Sequence, residues 1–249
     1  MATRKIVACL DIKDGKVVKG INFVDINEVG NPVEFAKRYE AEGADELVLL
    51  DITATNENRK TVVELVKKVS REIKIPSTVG GGIHSVEEAQ AVINAGANRV
   101  SIGSAALKNP ELITQLSEEL GKEKVVLAID TKFEGNEWWV FTGGGRNVTE
   151  WKALEWALKG EELGAGSILL TSMNNDGAKN GFAIDITKAI DDAVSIPVTA
   201  SGGAGKKEDF LDLFAQSNVE GGLAASVFHY KEINIGELKT YLRQQDIDI

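Results

Sequence analysis

Apolar positions along the chain fall into two alternating patterns. Short, nearly continuous runs rich in Val, Ile and Leu recur at Lys5–Asp11, Glu46–Asp51, Ile75–Val79, Arg99–Gly103, Val125–Asp130, Ser167–Thr171, Ile196–Ala200 and Gly222–Ala225. Runs of this length without polar alternation describe parallel strands covered on both faces. Between them, apolar residues return at helical spacing over Asn31–Glu42, Arg59–Glu72, Val86–Ala95, Pro110–Leu120, Glu150–Leu163, Asp185–Ala193 and Lys207–Gln216. Pro32 and Pro110 stand where a first helical turn tolerates proline, and Gly43, Gly96 and Gly164 stand where helices stop. Eight strands alternating with helices predict an α/β protein, a (β/α)8 TIM barrel spanning residues 1–249 as one domain. A doubly wound open sheet is the alternative, but it does not predict the symmetry that follows.

The two halves of the chain resemble each other. Glu42-Gly43-Ala44 returns as Leu163-Gly164-Ala165 and Ile75-Pro76 as Ile196-Pro197, each 121 residues later. Thr78-Val79-Gly80-Gly81-Gly82 returns at the same offset as Thr199-Ala200-Ser201-Gly202-Gly203, and Asp11 has a counterpart in Asp130 at 119. One offset kept over so many positions points to a duplicated half-barrel.

Active sites of such barrels lie at the C-terminal ends of the strands. There the repeats place Gly80-Gly81-Gly82 and Ser101-Ile102-Gly103-Ser104 in one half, and Ser201-Gly202-Gly203 and Ala224-Ala225-Ser226 in the other. Glycine lets main-chain N–H groups approach an anion, and a helix N-terminus adds a favourable dipole. Tight turns would use the same glycines, but their occurrence in both halves favours two phosphate cradles and a ligand with a phosphate at each end. Asp11 and Asp130 close opposite strands, so the pair reads as a general acid and base. Asp51 and Asp176 are weaker candidates for substrate hydroxyls. Lys19, between glycines in the long connection after the first strand, fits a lid that closes on an anion. His84 reads as a loop end, His229 as packing beside Phe228 and Tyr230, and Cys9 as core. Trp138-Trp139 suggests a hairpin extension with Gly143-Gly144-Gly145 as its flexible end.

Composition narrows the classes. With 28 Lys and Arg against 38 Asp and Glu, the net charge of −10 carries no basic stripe for nucleic acid. One cysteine and two histidines supply neither a disulfide nor a His-rich metal centre. The apolar stretch after Lys5 meets Asp11 too soon for a signal peptide, and no run is long enough to span a membrane, so the chain reads as cytosolic.

The stretches Ala8-Cys9-Leu10-Asp11-Ile12-Lys13-Asp14-Gly15, Val17-Val18-Lys19-Gly20-Ile21-Asn22-Phe23 and Thr78-Val79-Gly80-Gly81-Gly82-Ile83 belong to a known pattern. So do Ala200-Ser201-Gly202-Gly203-Ala204-Gly205 and Leu223-Ala224-Ala225-Ser226-Val227-Phe228-His229. Along its full length the chain resembles the cyclase subunits of imidazole glycerol phosphate synthase, enzymes of histidine biosynthesis. The resemblance implies that ammonia, released by a separate glutaminase subunit docked on the N-terminal face of the barrel, travels through its interior. Ammonia then converts the bis-phosphorylated nucleotide PRFAR to imidazole glycerol phosphate and AICAR, without metal or organic cofactor. Asp11 and Asp130 match the family's acid/base pair and Lys19 its lid lysine. Gly82, Ser104, Gly177, Gly203 and Ser226 match its phosphate positions, and Gly103, Thr171 and Ser201 join them as substrate contacts.

The chain departs from the pattern in places. Gly103-Ser104 replaces Asn followed by Thr or Ser, and Asn174-Asn175-Asp176-Gly177-Ala178 replaces Asp-Arg-Asp-Gly-Thr. Thr149-Glu150 replaces Thr-Gly, and Gly121-Lys122-Glu123 replaces Gly-Ser-Gln. A bottom gate of four charges becomes Lys5, Glu46, Arg99 and Ser167, leaving three. Two alternatives follow: the sister phosphoribosyl-formimino isomerase of the same pathway, and a catalytically weakened or engineered barrel that only binds phosphates. Cys9-Leu10-Asp11 and Lys19-Gly20 argue against the isomerase, and intact Asp11, Asp130 and Lys19 against the inert barrel.

Overall fold

A computed structural model of the chain describes residues 3–21, 24–52 and 59–249. The first half runs β1 (Lys5–Lys13), β2 (Lys16–Ile21), β3 (Val24–Gly30), α1 (Pro32–Glu42), β4 (Glu46–Asp51), α2 (Arg59–Glu72), β5 (Ser77–Gly80), α3 (Val86–Asn94), β6 (Arg99–Ile102), α4 (Ser104–Lys108) and α5 (Glu111–Leu120). The second half uses the same order: β7 (Val125–Glu134), β8 (Glu137–Thr142), β9 (Asn147–Lys152), α6 (Ala153–Leu163), β10 (Ser167–Ser172), α7 (Ile184–Ala193), β11 (Val198–Ser201), α8 (Lys207–Gln216), β12 (Gly221–Ala224), α9 (Ser226–His229) and α10 (Ile235–Gln244). Strands β1, β4, β5, β6, β7, β10, β11 and β12 pair in parallel in that order, and β12 pairs with β1 to close the barrel.

Alternation along each barrel strand sorts the core into two parts. On β1, Ile6, Ala8 and Leu10 face the helices and join the outer core of Leu47, Ile102, Leu127, Tyr39, Trp156 and Phe228. Val7 and Cys9 point inward, where Val48, Val126, Leu169 and Leu223 meet them in the barrel interior. Helix ends follow local chemistry. Asn31 accepts from the Val33 and Glu34 N–H groups at the start of α1, and Gly43 and Gly164 take left-handed caps after α1 and α6.

Several boundaries differ from the pattern. Strands β5 and β11 begin after Pro76 and Pro197, because proline has no N–H to give the ladder. Pro110 caps α5 from outside rather than opening it. The segment from Glu150 continues as strand through Lys152, and α6 starts only at Ala153. The connection after β1 is a hairpin, not an irregular loop. Asp14 and Gly15, both at positive φ, form its two-residue turn, and Gly135 and Asn136 do the same between β7 and β8. Asn22 and Phe23 of the resemblance lie outside the described residues.

At the N-terminal end of the barrel, Glu46 pairs with Lys5 at 2.9 Å and accepts two hydrogen bonds from the Arg99 guanidinium at 3.1 Å. The expected three-charge arrangement needs correcting here. Glu220, just before β12, reaches Lys5 at 3.0 Å, so two cations face two carboxylates even with serine at 167. Replacing Glu46 leaves Arg99 without a carboxylate among the described residues. Glu46→Gln should therefore destabilise the fold by about 2 kcal/mol, read as a lower urea midpoint at unchanged m-value.

Candidate active site

Barrel pairing sets two rows of residues level at the strand C-termini. Asp11 stands level with Leu50, Gly80 and Ser101 across β1, β4, β5 and β6. Asp130 stands level with Thr171, Ser201 and Leu223 across β7, β10, β11 and β12. The rows frame a cavity of about 510 Å³ lined by Asp11, Lys19, Asp51, Gly82, Gly103, Ser104, Asp130, Thr171, Asp176, Gly177, Ser201, Gly203 and Ser226. Every candidate named from the sequence thus faces one space.

The glycines on its rim have geometric reasons to be glycine. Gly81 has φ +93°, and a Cβ there would sit 2.0 Å from the Asp51 carbonyl oxygen. Gly203 has φ +115°, and a Cβ would sit 1.9 Å from the Gly181 carbonyl oxygen. The main chain is therefore drawn tight against the neighbouring βα loop on both sides of the mouth. The N–H groups of Gly82, Ser104, Gly203 and Ser226 donate to no acceptor among the described residues, so four open donors belong to residues that line the cavity. Gly103 differs: a Cβ would make only an ordinary 3.4 Å contact with the Ala128 carbonyl oxygen, so space for a side chain is present.

The loop after β10 is pinned by the residues that depart from the family pattern. Asn174 accepts from the Phe133 N–H at 2.7 Å, and Asn175 accepts from the Ser172 hydroxyl while donating to the Gly181 carbonyl at 2.9 Å. Asp176 and Gly177 are held at the mouth between these ties.

Carboxylates dominate the electrostatics. Lys19 lies on β2, its Nζ 3.7 Å from Asp11 Oδ2, with both side chains largely buried. In place of a free lid, the lysine is carried on a paired strand beside the catalytic candidate. Burial works to lower its pKa, but Asp11 and Asp176 outweigh burial and raise it, so Lys19 stays charged. Burial raises the Asp11 carboxyl, Lys19 opposes that shift and Asp176 adds to it. Asp130 has no cation beside it among the described residues, and loss of water together with Asp176 and Asp11 pushes it up to about 7. The symmetric pair is therefore electrostatically unequal: Asp130 holds its proton near neutrality, while Asp11 is the carboxyl with a cation at hand.

Cys9 and His229 pack as read from the sequence, whereas His84 and the β8–β9 hairpin tip reach the cavity where the sequence pattern did not lead. Cys9 is buried as core, yet its thiol lies 3.9 Å from Asp11 Oδ1 at the cavity floor, and burial pushes it up. His84 also lines the cavity. His229 packs against Phe35 and hydrogen-bonds Tyr39, and burial lowers its pKa to about 3, so it stays neutral. The β8–β9 hairpin arches over the mouth and brings Gly143, Gly144 and Arg146 to the lining. The glycine run was visible as a hairpin end, but only the folded chain shows where its tip points.

Known proteins place the chain. Residues 5–234 match the family model described as histidine biosynthesis protein. The chain is 50% identical over the full length of both sequences to "Imidazole glycerol phosphate synthase subunit HisF" of Geobacillus thermodenitrificans. It is 53% identical to the HisF of Pyrococcus furiosus and 51% to that of Parabacteroides distasonis, covering all of this chain and 99% of each relative. The chain belongs to the histidine biosynthesis family, in its HisF branch. These relatives are named as subunits, so the branch works within a larger synthase.

The raised carboxyl has a stability consequence. Between the unfolded value of 3.8 and the folded value of about 7, folded Asp130 binds a proton that the unfolded chain has lost. Stability is then lost as pH rises through about 7. Asp130→Asn removes that loss, so its melting temperature should gain on wild type by about 2–6 °C between pH 5 and pH 8, followed by thermal unfolding. A constant difference at all pH values would contradict the raised pKa.

Proposed function

We propose that the chain is the ammonia-using cyclase subunit of imidazole glycerol phosphate synthase, converting PRFAR to imidazole glycerol phosphate and AICAR. One observation carries this reading. Two sets of open main-chain donors, around Gly82 and Ser104 and around Gly203 and Ser226, lie on one cavity with the unequal pair Asp11 and Asp130 between them. A ligand with a phosphate at each end spans such a mouth and presents its middle to both carboxyls. Ring closure by ammonia needs a proton taken from nitrogen and another given to a departing group. Asp11, whose anion the Lys19 ammonium favours, suits the first role and Asp130, pushed up to about 7 beside Asp176 and Asp11, the second. Thr171, Ser201, Asp51 and Asp176 line the space between and serve the substrate's hydroxyls.

A glutaminase partner on the N-terminal face fits the other end of the barrel. There Glu46, Lys5, Arg99 and Glu220 form the ionic cluster, and small Ser167 begins β10. The compartment consistent with a biosynthetic heterodimer of this kind is the cytoplasm; no described helix is long and apolar enough to cross a membrane.

The deciding assay is turnover of PRFAR by the isolated chain with an ammonium salt, the products identified by mass spectrometry. Asp11→Asn and Asp130→Asn should each lower kcat by about 10²–10⁴-fold with affinity near wild type. Activity should fall on the alkaline side as Asp130 loses its proton through about pH 7. Gly103→Asn, for which the structure has room, should lower KM about threefold by adding one hydrogen bond to phosphate. Tight bisphosphate binding by wild type with no product would reduce the chain to a phosphate-binding barrel.

A further inference from the structure

We infer that Arg146, on the tip of the β8–β9 hairpin, is a substrate-binding residue that engages the phosphate held at Gly177, Gly203 and Ser226. The inference rests on the bisphosphate reading above and adds a residue that neither the sequence pattern nor the open main-chain donors supply.

Charge balance creates the need. The cavity carries four carboxylates, Asp11, Asp51, Asp130 and Asp176, against two side-chain cations, Lys19 and Arg146. Lys19 is already committed to Asp11 at 3.7 Å and sits mostly buried. An entering bisphosphate brings further negative charge into this field, and like charges at such range repel in a partly dry site. Arg146 pairs with no carboxylate among the described residues, so it is the cation left for the ligand.

The hairpin tip is built to present it. Gly143, Gly144 and Gly145 all have positive φ, at 62°, 67° and 82°, a run that side-chain-bearing residues avoid. Arg146 N–H closes the turn on the Thr142 carbonyl at 3.1 Å, and its Nε donates to the Gly143 carbonyl at 2.6 Å. That bond orients the plane of the guanidinium and leaves both terminal amino groups open, the fork that matches two phosphate oxygens. Close packing of Gly145 on Met173, where a Cβ would come within 3.2 Å of Met173 Cε, sets the tip beside the loop of Asp176 and Gly177. The side chain itself is exposed at the edge of the cavity, where a ligand can reach it.

The test is equilibrium binding of PRFAR by calorimetry, without ammonia, to wild type, Arg146→Gln and Arg146→Lys, at low and at physiological salt, alongside KM and kcat with an ammonium salt. Arg146→Gln should weaken binding about tenfold at low salt, with a smaller gap at higher salt, and the loss should fall on KM rather than kcat. Arg146→Lys keeps the charge but neither the fork nor the Nε bond, and should fall between Gln and wild type. Equal affinity of Gln and wild type would overturn the inference. A Gln deficit that does not shrink with salt would also overturn it, by showing that Arg146 only ties the hairpin tip. Wild type that binds the bisphosphate without turning it over would sink the cyclase reading and leave this comparison standing.

Discussion

Closure of a staggered parallel barrel is the constraint on which the rest depends. Followed round the sheet from Asp11, the pairing passes Leu50, Gly80 and Ser101 and enters β7 at Val126 rather than Asp130. From Asp130 it passes Thr171, Ser201 and Leu223 and re-enters β1 at Val7 rather than Asp11. The two steps are equal and together supply the stagger that a closed barrel needs. A slip of one residue in β1 or β7 would turn Asp11 or Asp130 toward the outer core, away from the cavity. Site and fold are set by the same register.

The mouth that results is an acidic basin in an acidic protein, organised for anions by the main chain more than by side chains. Four open N–H donors and the close loop approach at Gly81 and Gly203 create local positive potential where the net charge of −10 would repel. Asp11 and Asp130 occupy equivalent places in the two halves, yet Lys19 reaches only one of them. Near-symmetric backbone with asymmetric side-chain charge lets two identical carboxyl groups hold protons differently, which acid–base chemistry requires.

Much of this was legible beforehand. The apolar runs located all eight barrel strands because strands covered on both faces are mostly apolar between their ends, and the internal repeat pointed to the two glycine-rich loops at the mouth. The hairpins were less visible. Asp14-Gly15 and Gly135-Asn136 are two-residue turns of the type that matches strand twist, but the strands they join mix Lys, Glu and Trp and so lack a clean period. Helix α10 was missed because its apolar face, Ile235, Leu238 and Leu242, lies among charged residues near the chain end. Serine at 167 implied an unbalanced cluster; Glu220, just before β12, restores the balance from a position distant in sequence, a contact that no local pattern contains.

By itself the sequence determined the strand order, the repeat, the family and the set of residues at the strand ends, because periodicity and glycine placement are local properties of the chain. The tertiary structure alone decided which of those residues are electrostatically coupled. Lys19 reaches Asp11 because β2 folds back on β1, Asp130 rises to about 7 because burial strips it of water beside Asp176 and Asp11, and Arg146 overlooks the mouth because a glycine tip seats on Met173. Energies between charges depend on distance and on water excluded from between them, and neither exists until the barrel closes.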